Sequence, residues 1–158
     1  MARLIRAGNR QLGFSYLIAI FLVAVTSVLA LVAVQRASMA DQREREAELL
    51  FRGEAIRLAI TQYYIGSPGQ SKQYPHALSD LLEDGRPTHK IRYLRQIYVD
   101  PMTGTTDWGL IKDANDNVMG VYSKSTRTPI KVDGFQPGEE SFRAATQYQG
   151  WRFVYPPQ

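Results

Sequence analysis

The sequence predicts an α+β protein in which one long N-terminal helix precedes a small antiparallel sheet. Three observations support this prediction. An uncharged apolar run covers the 21 residues 14–34, and the stretch that follows it contains no proline up to Ile65. Strong helix-breaking residues then cluster at 66–69, which read GSPG. Beyond them, short segments with strand character alternate with loops rich in glycine, proline and aspartate.

The apolar run is long enough to cross a membrane. It follows a basic leader, residues 1–13, that contains three arginines and no acid. As a helix, 21 residues extend about 31 Å, close to the roughly 30 Å hydrocarbon thickness of a bilayer. Thirteen of the 21 are Leu, Ile, Val or Phe, and together they favour insertion by about 4–8 kcal/mol. We therefore expect segment 14–34 to span a membrane once.

Three fates of this N-terminus are open. A cleaved secretory signal has an apolar region of only about 7–15 residues, although Ser38-Met39-Ala40 could serve as its cleavage site. An uncleaved signal anchor fits the length and leaves the whole chain attached. In the third case the cut falls between Gly13 and Phe14, so that the apolar segment is kept as the new N-terminus. The Gly–Phe junction between a basic leader and an intact span favours this third fate.

The distribution of charge gives neither the orientation of the span nor evidence for a nucleic-acid partner. Arginines lie on both sides of the span, so the positive-inside rule gives no orientation, and we expect the short leader to stay in the cytoplasm because of its size. The net charge is +4, but the leader supplies three of these charges; the remainder has 16 Lys and Arg (19 less three) against 15 Asp and Glu. The basic pI is therefore no argument for nucleic-acid binding. The chain contains no cysteine, so no disulfide is expected.

Residues 35–65 are predicted to continue the same helix, giving about 50 residues or roughly 75 Å in all. Glycine occurs there only at Gly53, and two acid–base pairs stand at i,i+4, Asp41–Arg45 and Glu48–Arg52. Two rows of apolar residues predict a wide buried face: Ala47, Phe51, Ala55 and Leu58; and Leu49, Ile56, Ile60 and Tyr63. The charged stretch Asp41–Glu48 is either a solvated face or a surface that packs against copies or partners.

Residues 66–158 are predicted to form the α+β head. Pro75 and Gly85 bound a short second helix, and 92–99 is either extended or a last helical turn. Asp100–Gly104 is a turn by its composition, followed by Asp107 and Trp108, with Trp108 expected in the core. The remaining predicted elements are strands 107–112 and 117–123 around the hairpin turn 113–116, a loop at 134–140, and a last strand 151–155 ended by two prolines.

Five features in this order resemble the pseudopilins of bacterial type II secretion systems, in the branch related to the major pseudopilin. They are the Gly13–Phe14 junction, the long N-terminal helix, AELLFRGEAIRLAI, YPHALSDLL and YVDPMTGTTDWGLI. The resemblance covers nearly the whole chain. It implies a type IV pilin-like fold divided into a leader (1–13), the membrane half of the helix (14–34), its soluble half (35–65) and a periplasmic head (66–158).

The resemblance also implies how such a chain is processed and assembled. A prepilin peptidase would cut after Gly13 and methylate the new amine of Phe14. The spans, including Phe14, Ile18, Phe21 and Leu22, would pack with other pseudopilins and with copies of this chain into a helical filament on an inner-membrane secretion platform. The heads would stand in the periplasm, and the filament would help to move folded proteins across the outer membrane, powered by a separate cytoplasmic ATPase.

One residue departs from the family pattern. The family normally carries glutamate at the fifth position after the cut, and here that position is Ile18. A carboxylate in the membrane is costly unless it is paired, and the family is thought to pair it with the N-terminal amine of a neighbour. Ile18 cannot form that pair, which favours a minor or tip subunit over a side branch of the family that packs differently.

Metal binding has weak support in the sequence. Asp113, Asn115 and Asn117 match the first half of an EF-hand loop, but Val118 replaces the required glycine and Lys124 the required glutamate. Major pseudopilins often hold Ca2+ in a C-terminal loop, yet no ligand set can be carried over to this chain. An Asx-rich hairpin turn without metal is the preferred interpretation.

An enzymatic function is not predicted. His76 and His89 are the only histidines, no nucleophile or phosphate-loop motif occurs, and Asp80, Glu83 and Asp84 are interpreted as a solvated helix face. From Tyr63 to Tyr155, ten Tyr and Trp residues are spread along the chain as core and interface, with no strip for stacking nucleic acid. The alternative to a filament subunit is a signal-anchored periplasmic module that binds a ligand or a protein.

Overall fold

The computed structural model describes residues 12–69, 71–86 and 90–156. Most of the predicted leader and His89 therefore lie outside the described residues, as do the side chains of Leu12 and Glu140. The chain divides into two compact units, one ending at Asp41 and the other beginning at Gln42.

Helix α1 runs Leu12–Ile65, 54 residues, and ends where the GSPG cluster predicts. In the first unit every described side chain from Phe14 to Asp41 is exposed. By length and composition this segment is suited either to a membrane anchor or to a signal sequence. Glu48 and Arg52 form the predicted i,i+4 pair, with 2.7 Å between Oε1 and Nε.

In the second unit, the described residues form one antiparallel sheet of three strands in the order β1-β2-β3. Their bounds are β1 Gly109–Lys112, β2 Val118–Tyr122 and β3 Arg152–Val154. Val121 stands at its centre and pairs with Leu110 on one side and Phe153 on the other. The three predicted strands are confirmed, each two residues shorter than expected, and together with α1 they make an α+β arrangement.

The hairpin between β1 and β2 is closed by Asp113. Its Oδ1 accepts hydrogen bonds from the backbone N–H groups of Asn115 and Asn117, at 2.8 and 2.9 Å. Asp116 takes a left-handed conformation, φ 67°, which aspartate tolerates better than most residues. The predicted turn at Asp100–Gly104 is also present, because Gly104 N–H donates to the Asp100 carbonyl at 2.8 Å.

The predicted second helix is largely wrong. Only a 3-10 turn, Leu78–Leu81, forms there. Asp80 caps the start of this turn, since its carboxylate accepts the N–H groups of His76 and Ala77, and the chain before Leu78 is extended. The helix does not continue beyond Leu81, because the Leu81 carbonyl accepts hydrogen bonds from Tyr93 and Leu94 instead of from a following helical turn. Residues 92–99 accordingly form a loop, and two further 3-10 turns lie at Glu140–Ala144 and Tyr148–Gly150.

The core lies between α1 and the sheet. Leu49, Ile56 and Ile60 of α1 are completely buried, together with Val118, Val121 and Trp151 of the sheet region. The only glycine of the soluble half of α1, Gly53, allows close contact, since a Cβ there would overlap the ring of Phe153. Trp108 is buried as expected, and its indole Nε1 donates to the Tyr98 carbonyl at 2.7 Å.

Candidate functional site

The predicted processing junction lies within the described part of α1, since Gly13 and Phe14 are both helical. The Phe14 side chain is 70% exposed. The other residues of the proposed assembly helix, Ile18, Phe21 and Leu22, are exposed as well. Contact with lipid or with other apolar helices would stabilise aromatic and aliphatic side chains exposed in this number.

The second unit contains a row of buried positions along α1, spaced alternately by three and four residues. We call it the buried row: Glu46, Leu49, Gly53, Ile56, Ile60 and Tyr63. Its spacing is that of a single helix face, and the head covers it. Four of these six residues were predicted to be buried from their periodicity; Glu46 and Gly53 were not.

The prediction of a second buried apolar row is wrong. We call the residues concerned the exposed row: Ala47, Phe51, Ala55 and Leu58. Phe51 is 67% exposed and Leu58 48%, Ala47 is also exposed and Ala55 is half-buried, because the head packs against only one side of the helix. Two adjoining cavities of about 340 and 400 Å³ lie beside this row, and both are lined by Ala47, Leu50 and Lys131. The second unit thus presents an apolar groove along α1.

Glu46 contradicts the interpretation of Asp41–Glu48 as a wholly solvated face. Its carboxylate is buried, and its Oε1 accepts hydrogen bonds from the Ile130 N–H at 2.5 Å and the Tyr148 hydroxyl at 2.8 Å. One turn earlier, Gln42 donates to the Thr128 carbonyl at 2.9 Å and to the Tyr148 hydroxyl at 2.8 Å. Two side chains of α1 therefore hold the irregular segment 127–131 in place.

The C-terminal end of α1 is closed by Arg86. Its guanidinium donates to the Tyr63 carbonyl and to Ser67 Oγ, both at 3.0 Å, and lies 3.4 Å from the centre of the Tyr63 ring. Asp84 pairs with it at 2.8 Å and is buried, so the expectation of a solvated Asp84 is wrong. The hydrogen bond from Arg86 lowers the pKa of Asp84 and raises that of Arg86. This cluster stabilises the helix end.

The three weak candidates for metal ligands, Asp113, Asn115 and Asn117, lie close together in the hairpin turn. Asp113 Oδ2 accepts from Asn117 Nδ2 at 3.1 Å, while its Oδ1 takes two backbone N–H groups, and Asp116 pairs with Lys112. Asn115 is exposed. Among residues 12–69, 71–86 and 90–156, no three His, Cys, Asp or Glu side chains group so as to hold a metal ion.

Sequence reasoning missed Glu46, Tyr148 and Arg86. A signal existed for Glu46, because it stands three residues before Leu49 on the buried row. No such signal existed for the bond between Tyr148 and Glu46 or for the contact of Arg86 with the Tyr63 carbonyl, since these partners are 102 and 23 residues apart in the sequence. Comparisons with protein-family models, with curated proteins and with solved structures found no match to this chain.

Proposed function

We propose that this protein is a pseudopilin-like structural subunit of a type II secretion filament, processed between Gly13 and Phe14 and methylated on Phe14. Its span remains in the inner membrane, and its head stands in the periplasm. There it packs with other pseudopilins on the secretion platform and helps to move folded proteins across the outer membrane. The proposal starts from the sequence resemblance and takes its physical support from α1.

The observation that carries the proposal is the two-sided character of α1. One side of its soluble half is buried by the head, while Phe51 and Leu58 on the exposed row remain open. A helix that closed a self-sufficient domain would have polar residues on that side. Burying an aromatic and an aliphatic side chain in a partner interface gains about 1.5–3 kcal/mol each. An apolar outer side therefore favours lateral packing against neighbouring subunits.

Ile18 shapes the role within the filament. It is 44% exposed and offers no hydrogen-bonding group to a neighbour's N-terminal amine. We therefore favour a minor or tip position, where no subunit above supplies an amine. Replacing Ile18 with Glu should then leave incorporation into the filament unimproved. Better incorporation of I18E than of the wild type would overturn this part of the proposal.

The decisive experiment is mass spectrometry of the protein extracted from membranes. We expect a chain that begins at Phe14 and carries one additional methyl group. A Gly13→Ala variant serves as the matched control and should remain uncut. An intact Met1, or an N-terminus near Asp41, would contradict the proposal and favour the anchored or secreted alternatives.

The role of the exposed row can be tested separately by photo-crosslinking in membranes. Phe51 is replaced by benzoylphenylalanine, which keeps the aromatic character, and Thr106 on an exposed loop is replaced in the same way as the control. We expect a covalent adduct with another membrane protein or a second copy from position 51 and none from position 106. No adduct from position 51, or an adduct only from 106, would contradict lateral packing through the exposed row.

A further inference from the structure

Two aspartate–glycine dipeptides occur in the chain, Asp84–Gly85 and Asp133–Gly134. In such a dipeptide the glycine nitrogen can attack the carboxyl group of the aspartate side chain, because no Cβ obstructs its approach. The outcome of this attack is isoaspartate, in which the main chain runs through the former side chain. The structure places the two dipeptides in opposite environments.

Asp84 is protected from this reaction by its contacts. Its side chain is 1% exposed, and its carboxylate accepts hydrogen bonds from the Arg86 backbone N–H at 3.0 Å and from the Arg86 guanidinium at 2.8 and 2.9 Å. The backbone N–H and carbonyl of Asp84 are both bonded to Ile91, at 2.8 and 3.2 Å. Ring closure at Asp84 would destroy the carboxylate that these donors share, so the folded chain resists it.

Asp133 lies in the segment between β2 and the 3-10 turn Glu140–Ala144, and its side chain is 72% exposed. Its Oδ1 accepts a hydrogen bond from the N–H of Gly134 itself, at 2.7 Å, so the attacking nitrogen already lies beside the carboxyl group. Gly134 has φ 72°, and a Cβ at this position would meet no atom within 4 Å. The surroundings therefore leave room for a ring to close here.

The charge of Asp133 controls how fast the ring can form. A carboxylate is a poor electrophile, whereas the neutral acid can release its hydroxyl group as water. The hydrogen bond from the Gly134 N–H lowers the pKa of Asp133, and so does Arg143, whose guanidinium lies 2.7 Å from Oδ1. The neutral acid is therefore a minor form at neutral pH and becomes more abundant as the pH falls.

We propose that Asp133–Gly134 is a site of spontaneous isoaspartate formation. The Gly134 nitrogen forms a bond to Asp133 Cγ, and the amide proton leaves with the Cγ hydroxyl group as one water molecule. The resulting five-membered succinimide then takes up one water molecule. Addition at Cγ breaks the new bond and returns aspartate, whereas addition at the main-chain carbonyl breaks the original peptide bond and gives isoaspartate. The mass of the chain is unchanged.

The rearrangement would affect the aromatic part of the core. It lengthens the main chain by one carbon atom directly before Phe135, whose ring packs edge-on against Phe142 and Trp151 at centroid distances of 5.8 and 5.5 Å. A longer chain here displaces the Phe135 ring, so the modified protein should unfold at a lower temperature. This inference concerns the second unit alone and does not depend on the proposed function.

Peptide mapping of the full chain, aged in detergent micelles at pH 5 and at pH 8, tests the site. Cleavage after Lys131 and Arg143 isolates the peptide that contains Asp133, and electron-transfer fragmentation distinguishes isoaspartate from aspartate at equal mass. We expect isoaspartate to accumulate at Asp133, faster at pH 5 than at pH 8. We expect at least about tenfold less at Asp84, which must first open locally.

Asp133→Glu is the matched variant, because it keeps the charge but would require a six-membered ring, which closes far more slowly. It should lose the isomerised product, and its unfolding temperature should stay unchanged because position 133 is exposed. In guanidinium chloride, where the fold protects neither dipeptide, Asp84 and Asp133 should react at comparable rates.

Four results would overturn the inference. They are an absence of isoaspartate at Asp133, equal amounts at Asp84 and Asp133 in the folded protein, an undiminished isomer in Asp133→Glu, and the same excess at Asp133 in guanidinium chloride. The last result would assign the difference to the flanking sequence instead of to the fold.

Discussion

The Glu46 carboxylate and the Tyr148 hydroxyl are joined by a hydrogen bond of 2.8 Å across 102 residues of sequence. Tyr148 itself is completely buried and packs edge-on against Trp151, with 5.2 Å between the ring centroids. One α1 side chain thereby ties together segment 127–131 and the aromatic part of the core. The contact explains why a charged residue occupies the buried row.

Glu46→Gln should destabilise the second unit by about 1–3 kcal/mol, because the amide places an N–H group where the carboxylate accepts hydrogen bonds. Denaturant unfolding followed by near-ultraviolet circular dichroism measures the change. Glu44→Gln makes the same substitution at an exposed position two residues earlier and should have little effect. Equal effects of the two variants would show that the Glu46 contacts contribute nothing specific.

The buried Tyr148 hydroxyl should make the folded protein less stable in alkali. Burial raises its pKa from 10.0 to about 12. Between these two pH values the unfolded chain releases the proton while the folded one retains it, so stability present below pH 10 decreases as the pH rises. Thermal unfolding from pH 9 to 12 should show a shallower decline for Tyr148→Phe than for the wild type. If the wild type and Tyr148→Phe lost stability equally between pH 9 and 12, Tyr148 would not be the cause of the decline.

Gly53→Ala should destabilise the protein by about 1–3 kcal/mol, since the new methyl group meets the Phe153 ring and overpacking outweighs the better helix propensity of alanine. Gly85→Ala is the control, because a Cβ there has no atom within 4 Å. Combining Gly53→Ala with Phe153→Leu should recover part of the loss. If G53A unfolds at the same denaturant concentration as the wild type, the close approach is not tight.

Asp84→Asn should lower stability at neutral pH by about 1–3 kcal/mol, because it leaves Arg86 without its partner. Since the pKa of Asp84 is lowered in the folded protein, its contribution is present above the unfolded value near 3.8 and is lost as the pH falls below it. The wild type and the variant should therefore converge below about pH 4. Glu83→Gln, at the neighbouring exposed acid, serves as the control.

The periodicity of the apolar residues and the positions of the helix-breaking residues predicted much of the local structure. The GSPG cluster marked the end of α1 at Ile65, and the alternating segments around 113–116 marked the hairpin. The prediction of the second helix failed because the Leu81 carbonyl accepts hydrogen bonds from Tyr93 and Leu94 of a later segment, which no local propensity encodes. The prediction that the exposed row is buried was wrong for a related reason. The spacing of apolar residues shows which of them share a helix face, but it does not show which face the rest of the protein covers.

The sequence by itself determined that a long apolar helix lies near the N-terminus and where that helix ends, and it predicts a processing junction at Gly13 and Phe14. It did so because membrane length, helix breakers and leader charge are all local properties. Only the tertiary structure decided that Glu46 is buried while Phe51 is exposed. That difference depends on which side of α1 the head covers, a property of contacts between residues far apart in sequence.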